Sequence, residues 1–338
     1  MATIVTGANG HIGICLVRKL LTLNRNVVAL DREAGPWLRK LDVDVRLGDI
    51  RDAAFMRSAL EPGDVLFHLA SVISIFGDRD GLVPSVNIDG ARTVARVALE
   101  RGVRRMIHFS SIHAFDIRPS KDTVTEETTL ASELSAYETS AYNRSKALGQ
   151  RAVLSYAKRG LDVVVVNPCG VIGPYDYKLS LQGQGSRRFM AHDAHTKPHT
   201  PGGFNWVDVR DVVEGALLAE QHGQTGECYI LGGHYRTNVD LARLSSEVTG
   251  VPVSERLIPL GILRLLATLF EWFERLTGKP QTLTHEGLDT ILGNPNMSHA
   301  KAARELGYQP RPLEESLHDT YQWYLKTGQV QPPQSNDT

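Results

Sequence analysis

Two residues four positions apart, Tyr142 and Lys146 in Tyr142-Asn143-Arg144-Ser145-Lys146, carry a pattern that could do chemistry. On a helix, that spacing sends both side chains from one face. A free phenol titrates at about 10 and is a poor acid or base near neutrality. A neighbouring ammonium favours the phenolate, so Lys146 is expected to lower that value for Tyr142. The phenol can then give a proton to a carbonyl oxygen or take one from an alcohol. Ser111 could supply a third group, a hydroxyl that holds the reacting oxygen against Tyr142. Taken alone, Tyr-x-x-x-Lys is also the pattern of an exposed helix face.

These side chains need elements to position them, and the chain opens with a strand, a glycine-rich turn and a helix. Thr3 to Thr6 is β-prone, Gly7, Gly10 and Gly13 follow at every third position, and Ile14, Leu16, Val17, Leu20 and Leu21 continue at helical spacing. Gly7 permits the tight turn, Gly10 lets backbone approach a pyrophosphate, and Gly13 allows close packing of helix on strand. The spacing differs from the general Gly-x-Gly-x-x-Gly fingerprint, and a plain tight turn would also satisfy the triplet alone. A second strand, Asn26 to Asp31, ends in an acid placed to accept hydrogen bonds from an adenosine ribose. Further strands are expected at 43–49, 64–70, 104–111 and 161–166, with helices at 84–101 and 140–159 between them. This alternation predicts an α/β fold with a doubly wound parallel sheet of the Rossmann type. Ser111 then falls at the carboxyl end of the fifth strand, where ligands sit in such sheets.

After residue 170, glycine and proline cluster, which predicts a smaller, loop-rich substrate lobe. The expected division is a dinucleotide-binding domain over 1–170 with elements at about 205–232 returning to it. The substrate lobe takes 171–204 and 233–330, and a polar tail runs over 331–338. A helix is expected at 209–222 and a short strand at 228–231. The apolar segment 258–276 carries Arg264, Glu271 and Arg275 near one face, and charge interrupts it too often for a membrane span. It reads as a helix packed on the lobe, or as a lid or membrane-surface contact.

The 338 residues are 42% hydrophobic and 22% charged, with a net charge of −1. That balance offers no electrostatic case for nucleic acid or an anionic membrane. Cys15, Cys169 and Cys228 lie far apart, which argues against a disulfide framework or zinc knuckle and for a reducing, cytoplasmic setting. The first strand begins at Ala2 and leaves no room for a signal peptide. His192, His195 and His199 share helical spacing, but the prolines and glycines around them favour a mobile loop, and no metal is expected.

Taken together, the loop Thr6 to Gly13, Asp31, Ser110-Ser111, Tyr142-x-x-x-Lys146 and Asn167-Pro168-Cys169-Gly170-Val171-Ile172-Gly173-Pro174 resemble the extended short-chain dehydrogenase/reductases, the NAD-dependent epimerase/dehydratase family. Trp206 to Asp211 and Leu306 to Pro310 extend the likeness to about residue 326. The resemblance implies Ser111, Tyr142 and Lys146 as a catalytic triad, with Lys146 also bonding the nicotinamide ribose. It implies cofactor contacts at Gly7, Asn9, Gly10, His11, Ile12 and Gly13, at Asp31 and Arg32, and at Asp49 and Ile50 beside the adenine. Leu69, Ala70 and Ser71 would line the cofactor path, Asn87 would serve the cofactor side, and Pro168 and Val171 would position the carboxamide. It also implies a homodimer through the helices near 84–101 and 140–159.

Within the family, Gly170 stands where sugar-nucleotide enzymes have an asparagine, and it has no side chain for hydrogen bonding. Asn167-Pro168 is similar to dihydroflavonol reductases, and Ala70 to Gly77 with Ser110-Ser111-Ile112 resembles hydroxysteroid dehydrogenases. Both branches act on hydrophobic ketones or secondary alcohols. The expected activity is therefore hydride transfer between a nicotinamide and such a substrate. Ile73, His113 and Gly170 are the candidate pocket residues. His113 replaces the acid of isomerising hydroxysteroid dehydrogenases, so no isomerase step is expected, and it is either a pocket or a packing residue. The rival readings are a sugar-nucleotide epimerase or dehydratase and a non-catalytic nicotinamide sensor with a protein partner. Asp31 favours NAD by repelling a 2′-phosphate, whereas Arg32 keeps NADP open.

Overall fold

Runs of β-branched and apolar residues make the strands, and their continuous apolar character reflects burial on both faces. The computed structural model describes residues 1–73, 78, 80–135, 139–191, 198–277 and 283–332. Ser74 to Gly77, His192, His195 and the end of the tail lie outside those residues. The strands β1 (Thr3–Thr6), β2 (Val27–Asp31), β3 (Asp44–Leu47), β4 (Val65–His68), β5 (Arg105–Phe109), β6 (Val163–Pro168) and β9 (Cys228–Leu231) form one parallel sheet. Its order is β3-β2-β1-β4-β5-β6-β9. The order reverses between β1 and β4, where a cleft opens at the carboxyl ends of the strands. The edge strand β3 is mostly exposed and carries Asp44 paired with Arg46 at 2.8 Å, charges that discourage pairing with another chain.

Helices cover both faces. They are α1 (His11–Thr22), α2 (Ala53–Ala59), α3 (Leu82–Pro84), which continues through a wide turn at Ser85–Gly90 into α4 (Ala91–Arg101), α5 (Ala141–Ala157) and α7 (Val209–His222). One core packs Val5, Leu16, Phe67, Ile107, Val164 and Tyr229 with α7; the other packs Ile4, Leu66, Met106 and Val163 with Val94 and Val153. The expected strands and helices all occur within a few residues of their expected bounds.

The loop-rich region holds more structure than its composition suggests. It contains β7 (Gly170–Ile172), α6 (Leu181–Met190), β8 (Gly203–Asp208) and β10 (His234–Thr237), with β10-β8-β7 forming a second, three-stranded sheet. The strands are too short and mixed to show periodicity. The second sheet packs with α8 (Asn238–Thr249) and α12 (Leu313–Thr327) around Trp206, Leu241, Leu317 and Tyr324. The remaining helices are α9 (Leu260–Thr277), α10 (His285–Ile291) and α11 (Ala300–Leu306).

Candidate active site

The cleft starts where Thr6 ties β1 to β4. Its hydroxyl accepts the N–H groups of Leu69 and Ala70, both at 3.2 Å, and lies 2.7 Å from His68 Nδ1. With both amides donating to the hydroxyl oxygen, its own hydrogen goes to Nδ1, which fixes a neutral imidazole. Gly7 follows at φ +68°, and a Cβ there would lie 2.7 Å from the Ala70 nitrogen. A Cβ on Gly13 would lie 2.2 Å from the Gly7 carbonyl oxygen. The N-cap of α1 is Gly10, with no side-chain capping bond, which leaves the first-turn N–H groups free for an anion. A cavity of about 910 Å³ extends from this loop across the carboxyl ends of the strands.

Every candidate cofactor residue except Asn87 lines that cavity, as do Ser111, Ile73, His113 and Gly170. Asp31 accepts the Asn9 N–H at 3.0 Å and the Arg32 N–H at 2.8 Å. Arg32 is exposed and its guanidinium has no partner among the described residues. Arg51 bonds Asp49 at 2.6 Å and holds its carboxyl below the usual range. Asn87 lies behind the wall. Its amide accepts the Val72 N–H at 2.8 Å and donates to the Val72 carbonyl and the Ser145 hydroxyl. It fixes the Ala70–Val72 segment and the helix face beside Lys146 instead of facing the cavity.

Ser111 lies just beyond β5, where its side chain caps the turn Ile112–Ala114 by accepting the His113 N–H at 3.3 Å. Ser140 caps α5 by accepting the Asn143 N–H at 3.1 Å, which starts the helix at Ala141, one residue before Tyr142. The Tyr142 hydroxyl faces the Ser111 side, and both residues line the cavity. Burial pushes its phenol up to about 12, opposed in part by the Ser111 side chain. The phenol is therefore raised, not lowered as expected: desolvation of the phenolate decides the direction, and Lys146 is not among the causes of the shift. The Lys146 ammonium donates to the Phe109 carbonyl at 3.4 Å, and burial brings it down to about 8. Asn167 is fully buried and donates to the Ser111 carbonyl at 2.9 Å and to Gln150 at 2.8 Å, joining β6, the serine and α5.

His113 faces the cavity and meets Tyr142 edge-on, with ring centroids 5.5 Å apart. Its Nδ1 lies 3.0 Å from Asn143 Oδ1. A carbonyl oxygen only accepts, so Nδ1 carries the hydrogen and Nε2 keeps a free lone pair. Burial brings His113 down to about 4. Opposite lies the second sheet, where Gly170 pairs with Trp206 and a Cβ on Gly170 would lie 3.2 Å from the Asn205 carbonyl oxygen.

The model of the NAD dependent epimerase/dehydratase family matches residues 3–232, which hold the glycine loop, Asp31, Ser111, Tyr142 and Lys146. The chain belongs to the NAD-dependent epimerase/dehydratase family. It is 34% identical to sterol demethylase protein B of Methylococcus capsulatus, over 98% of this chain and all of the relative. It is 31% identical to a putative dihydroflavonol 4-reductase of Synechocystis, over 96% of this chain and 95% of that one. A solved dTDP-glucose 4,6-dehydratase of Streptomyces venezuelae, with NAD bound, superposes with a TM-score of 0.74 at 25% identity, covering 98% of this chain and 99% of its own. The protein is thus a nicotinamide-dependent oxidoreductase of the extended short-chain type in this family.

The residues present fit the family's NAD. The crowded glycines form a cradle that any Cβ would fill, the uncapped helix start faces it, and Asp31 stands at the end of β2. Several cavity residues escaped the sequence reading. Asn143 lay inside the Tyr-x-x-x-Lys motif but showed no partner. Phe204, Asn205, Thr290, Asn294 and Met297 line the cavity from distant segments and carry no local signal.

Proposed function

We propose that the protein interconverts a hydrophobic ketone and a secondary alcohol. The observation that carries this reading is the wall built after Pro168. Asp176 and Lys178 are drawn toward the glycine loop, Asp176 lying 3.9 Å from His11 and Lys178 bonding Glu33 at 2.8 Å. The rest of that wall, including Cys169, Val171, Leu179, Phe204 and Met297, holds no lysine or arginine among the described residues. A nucleoside diphosphate bound there would leave its pyrophosphate without a cationic partner, whereas an apolar body is solvated well.

The nicotinamide, when bound, supplies or accepts the hydride. Tyr142 holds its proton at neutral pH, the state that ketone reduction requires, and Ser111 orients the substrate oxygen toward it. Lys146, still mostly charged at neutral pH, favours the phenolate as the proton leaves. His113 offers only an acceptor at Nε2, so the pocket favours substrates with a hydroxyl near the carbonyl.

The test is a panel of bulky aryl and alicyclic ketones assayed with reduced cofactor, beside thermal unfolding with UDP- and dTDP-sugars. Reduction of the ketones is expected, with no stabilisation by the sugars beyond that of cofactor alone. Strong stabilisation by a sugar nucleotide would favour the epimerase or dehydratase reading, which the dehydratase likeness motivates.

Cofactor choice gives a second measurement. Asp31 is aimed into the cleft and repels a 2′-phosphate, while the exposed Arg32 attracts one weakly. Close repulsion in a partly dry site exceeds an exposed attraction of about 1 kcal/mol or less. The wild type is expected to show higher kcat/KM with NADH, and Asp31→Ala to move toward NADPH. A tenfold wild-type preference for NADPH would assign the choice to Arg32.

A further inference from the structure

The helix α9 turns its apolar side outward. At about 100° per residue, Ile262, Leu265, Leu269, Trp272, Phe273 and Leu276 fall within one arc, and each is between 49 and 64% exposed. Leu263 and Ala267 hold the helix to the protein by packing on Leu288 of α10. Among the described side chains, no charged residue enters the exposed arc. Arg264 and Glu271 project elsewhere, and Glu271 is engaged by the His285 N–H at 2.8 Å and by His285 Nδ1 at 3.1 Å. An apolar strip of this size marks an interaction site, not scattered surface hydrophobes.

We propose that this face seats on a lipid bilayer, with α9 lying in the plane of the membrane interface. Area argues against a second copy of the chain. An 18-residue helix is about 27 Å long and 10 Å wide, a footprint of about 300 Å², whereas a stable dimer buries about 800 Å² per partner. The spacing 262, 265, 269, 272, 276 covers two heptads, short of the three or four that a coiled coil sustains. Phe273 and Leu266 also widen the strip beyond a coiled-coil seam. A bilayer needs no matching surface and takes such a face about 5–10 Å deep. Trp272 at the edge of the arc can keep its indole N–H in water while its ring enters. No described helix is long and apolar enough to cross a membrane, so the contact is one of lying on the surface. Thr290 of α10 and Gly293 line the cavity, so seating α9 brings that wall toward the bilayer. Delivery of a lipid-soluble substrate from there rests on the reading above; the docking itself does not.

The test is flotation of the purified full chain with neutral phosphatidylcholine vesicles at low and high salt. Most of the protein is expected to float at both, because the described residues of the face carry no charge. A variant combining Leu265→Glu and Trp272→Glu should lose flotation roughly tenfold or more, with an unchanged Tm and unchanged turnover of a water-soluble ketone. Trp272→Phe should float but lose the blue shift of tryptophan emission that vesicles induce. Wild type remaining at the bottom of the gradient overturns the proposal. So does a dimer in light scattering that the double variant makes monomeric, which would assign the face to a second copy. Binding confined to anionic vesicles at low salt overturns it as well, as does loss of vesicle-free turnover in a folded double variant, which would make α9 a lid. If no ketone is reduced, flotation still decides the docking.

Discussion

Replacing Tyr142 with phenylalanine is expected to slow turnover by about 100-fold or more, the scale of losing a general acid. The ring remains, so the edge-on contact with His113 persists and the buried site keeps its packing. Ser111 keeps both of its anchors, its hydroxyl accepting the His113 N–H and its carbonyl held by Asn167. Thermal stability and cofactor affinity should therefore change little. The measurement is kcat with the best ketone of the panel, with cofactor titrated in parallel by fluorescence. Near-normal turnover in the phenylalanine variant would remove Tyr142 from the proposed chemistry. A large loss of cofactor affinity would give the residue a binding role instead.

Acid should destabilise the protein well above the range in which carboxylates titrate. His68 and His108 are register partners on β4 and β5, buried and stacked with ring centroids 5.2 Å apart. Burial brings His68 down to about 3 and His108 well below its usual value, and the nearby Lys146 charge acts in the same direction. Unfolded, each takes up a proton near pH 6.5. Below that pH the unfolded chain binds more protons, so stability present above 6.5 is lost as pH falls toward the folded-state values. Two such protons give a slope of about 3 kcal/mol per pH unit between about pH 6 and 4. His113, brought down to about 4, adds a third proton over the same window, and His199 and His299 shift in the same direction and steepen it further. Equilibrium urea unfolding at pH 7, 6 and 5 reads the slope. His108→Phe isolates one proton: the slope should fall by about 1 kcal/mol per pH unit. The variant should be well tolerated at pH 7, since His108 Nδ1 is buried without a partner. Equal stability at pH 7 and 5 would mean that the pair is not held neutral.

The parallel sheet was legible because its strands are continuous apolar runs separated by helical patterns. Leu161 to Val166 and Asp64 to Ala70 announce themselves by composition alone. The second sheet was hidden: His234 to Thr237 is half-buried throughout and shows no alternation. Its pairing with Gly203 to Asp208 depends on contacts far along the chain. The site divides in the same way. Glycine spacing and Tyr-x-x-x-Lys could be read locally, and Ser111, Tyr142 and Lys146 do line one cavity. The direction in which the phenol shifts could not be read, because burial comes from the assembled core. Asn87 shows a related limit: its motif suggested the cofactor side, while its hydrogen bonds clasp Val72 and Ser145.

The path from β6 to β9 bears on how the chain folds as it leaves the ribosome. β6 ends at Pro168, but its outer neighbour spans Cys228–Leu231, after the second sheet has begun with β7 and β8. Until about sixty further residues have been added, the nascent sheet presents a bare, apolar Val163–Val166 edge. Tyr308, whose hydroxyl donates to the Gly232 carbonyl at 2.9 Å, arrives later still. At translation rates of about 5–20 residues per second, that edge stays open for several seconds. This interval is when the chain is most exposed to pairing with a neighbour on the same messenger.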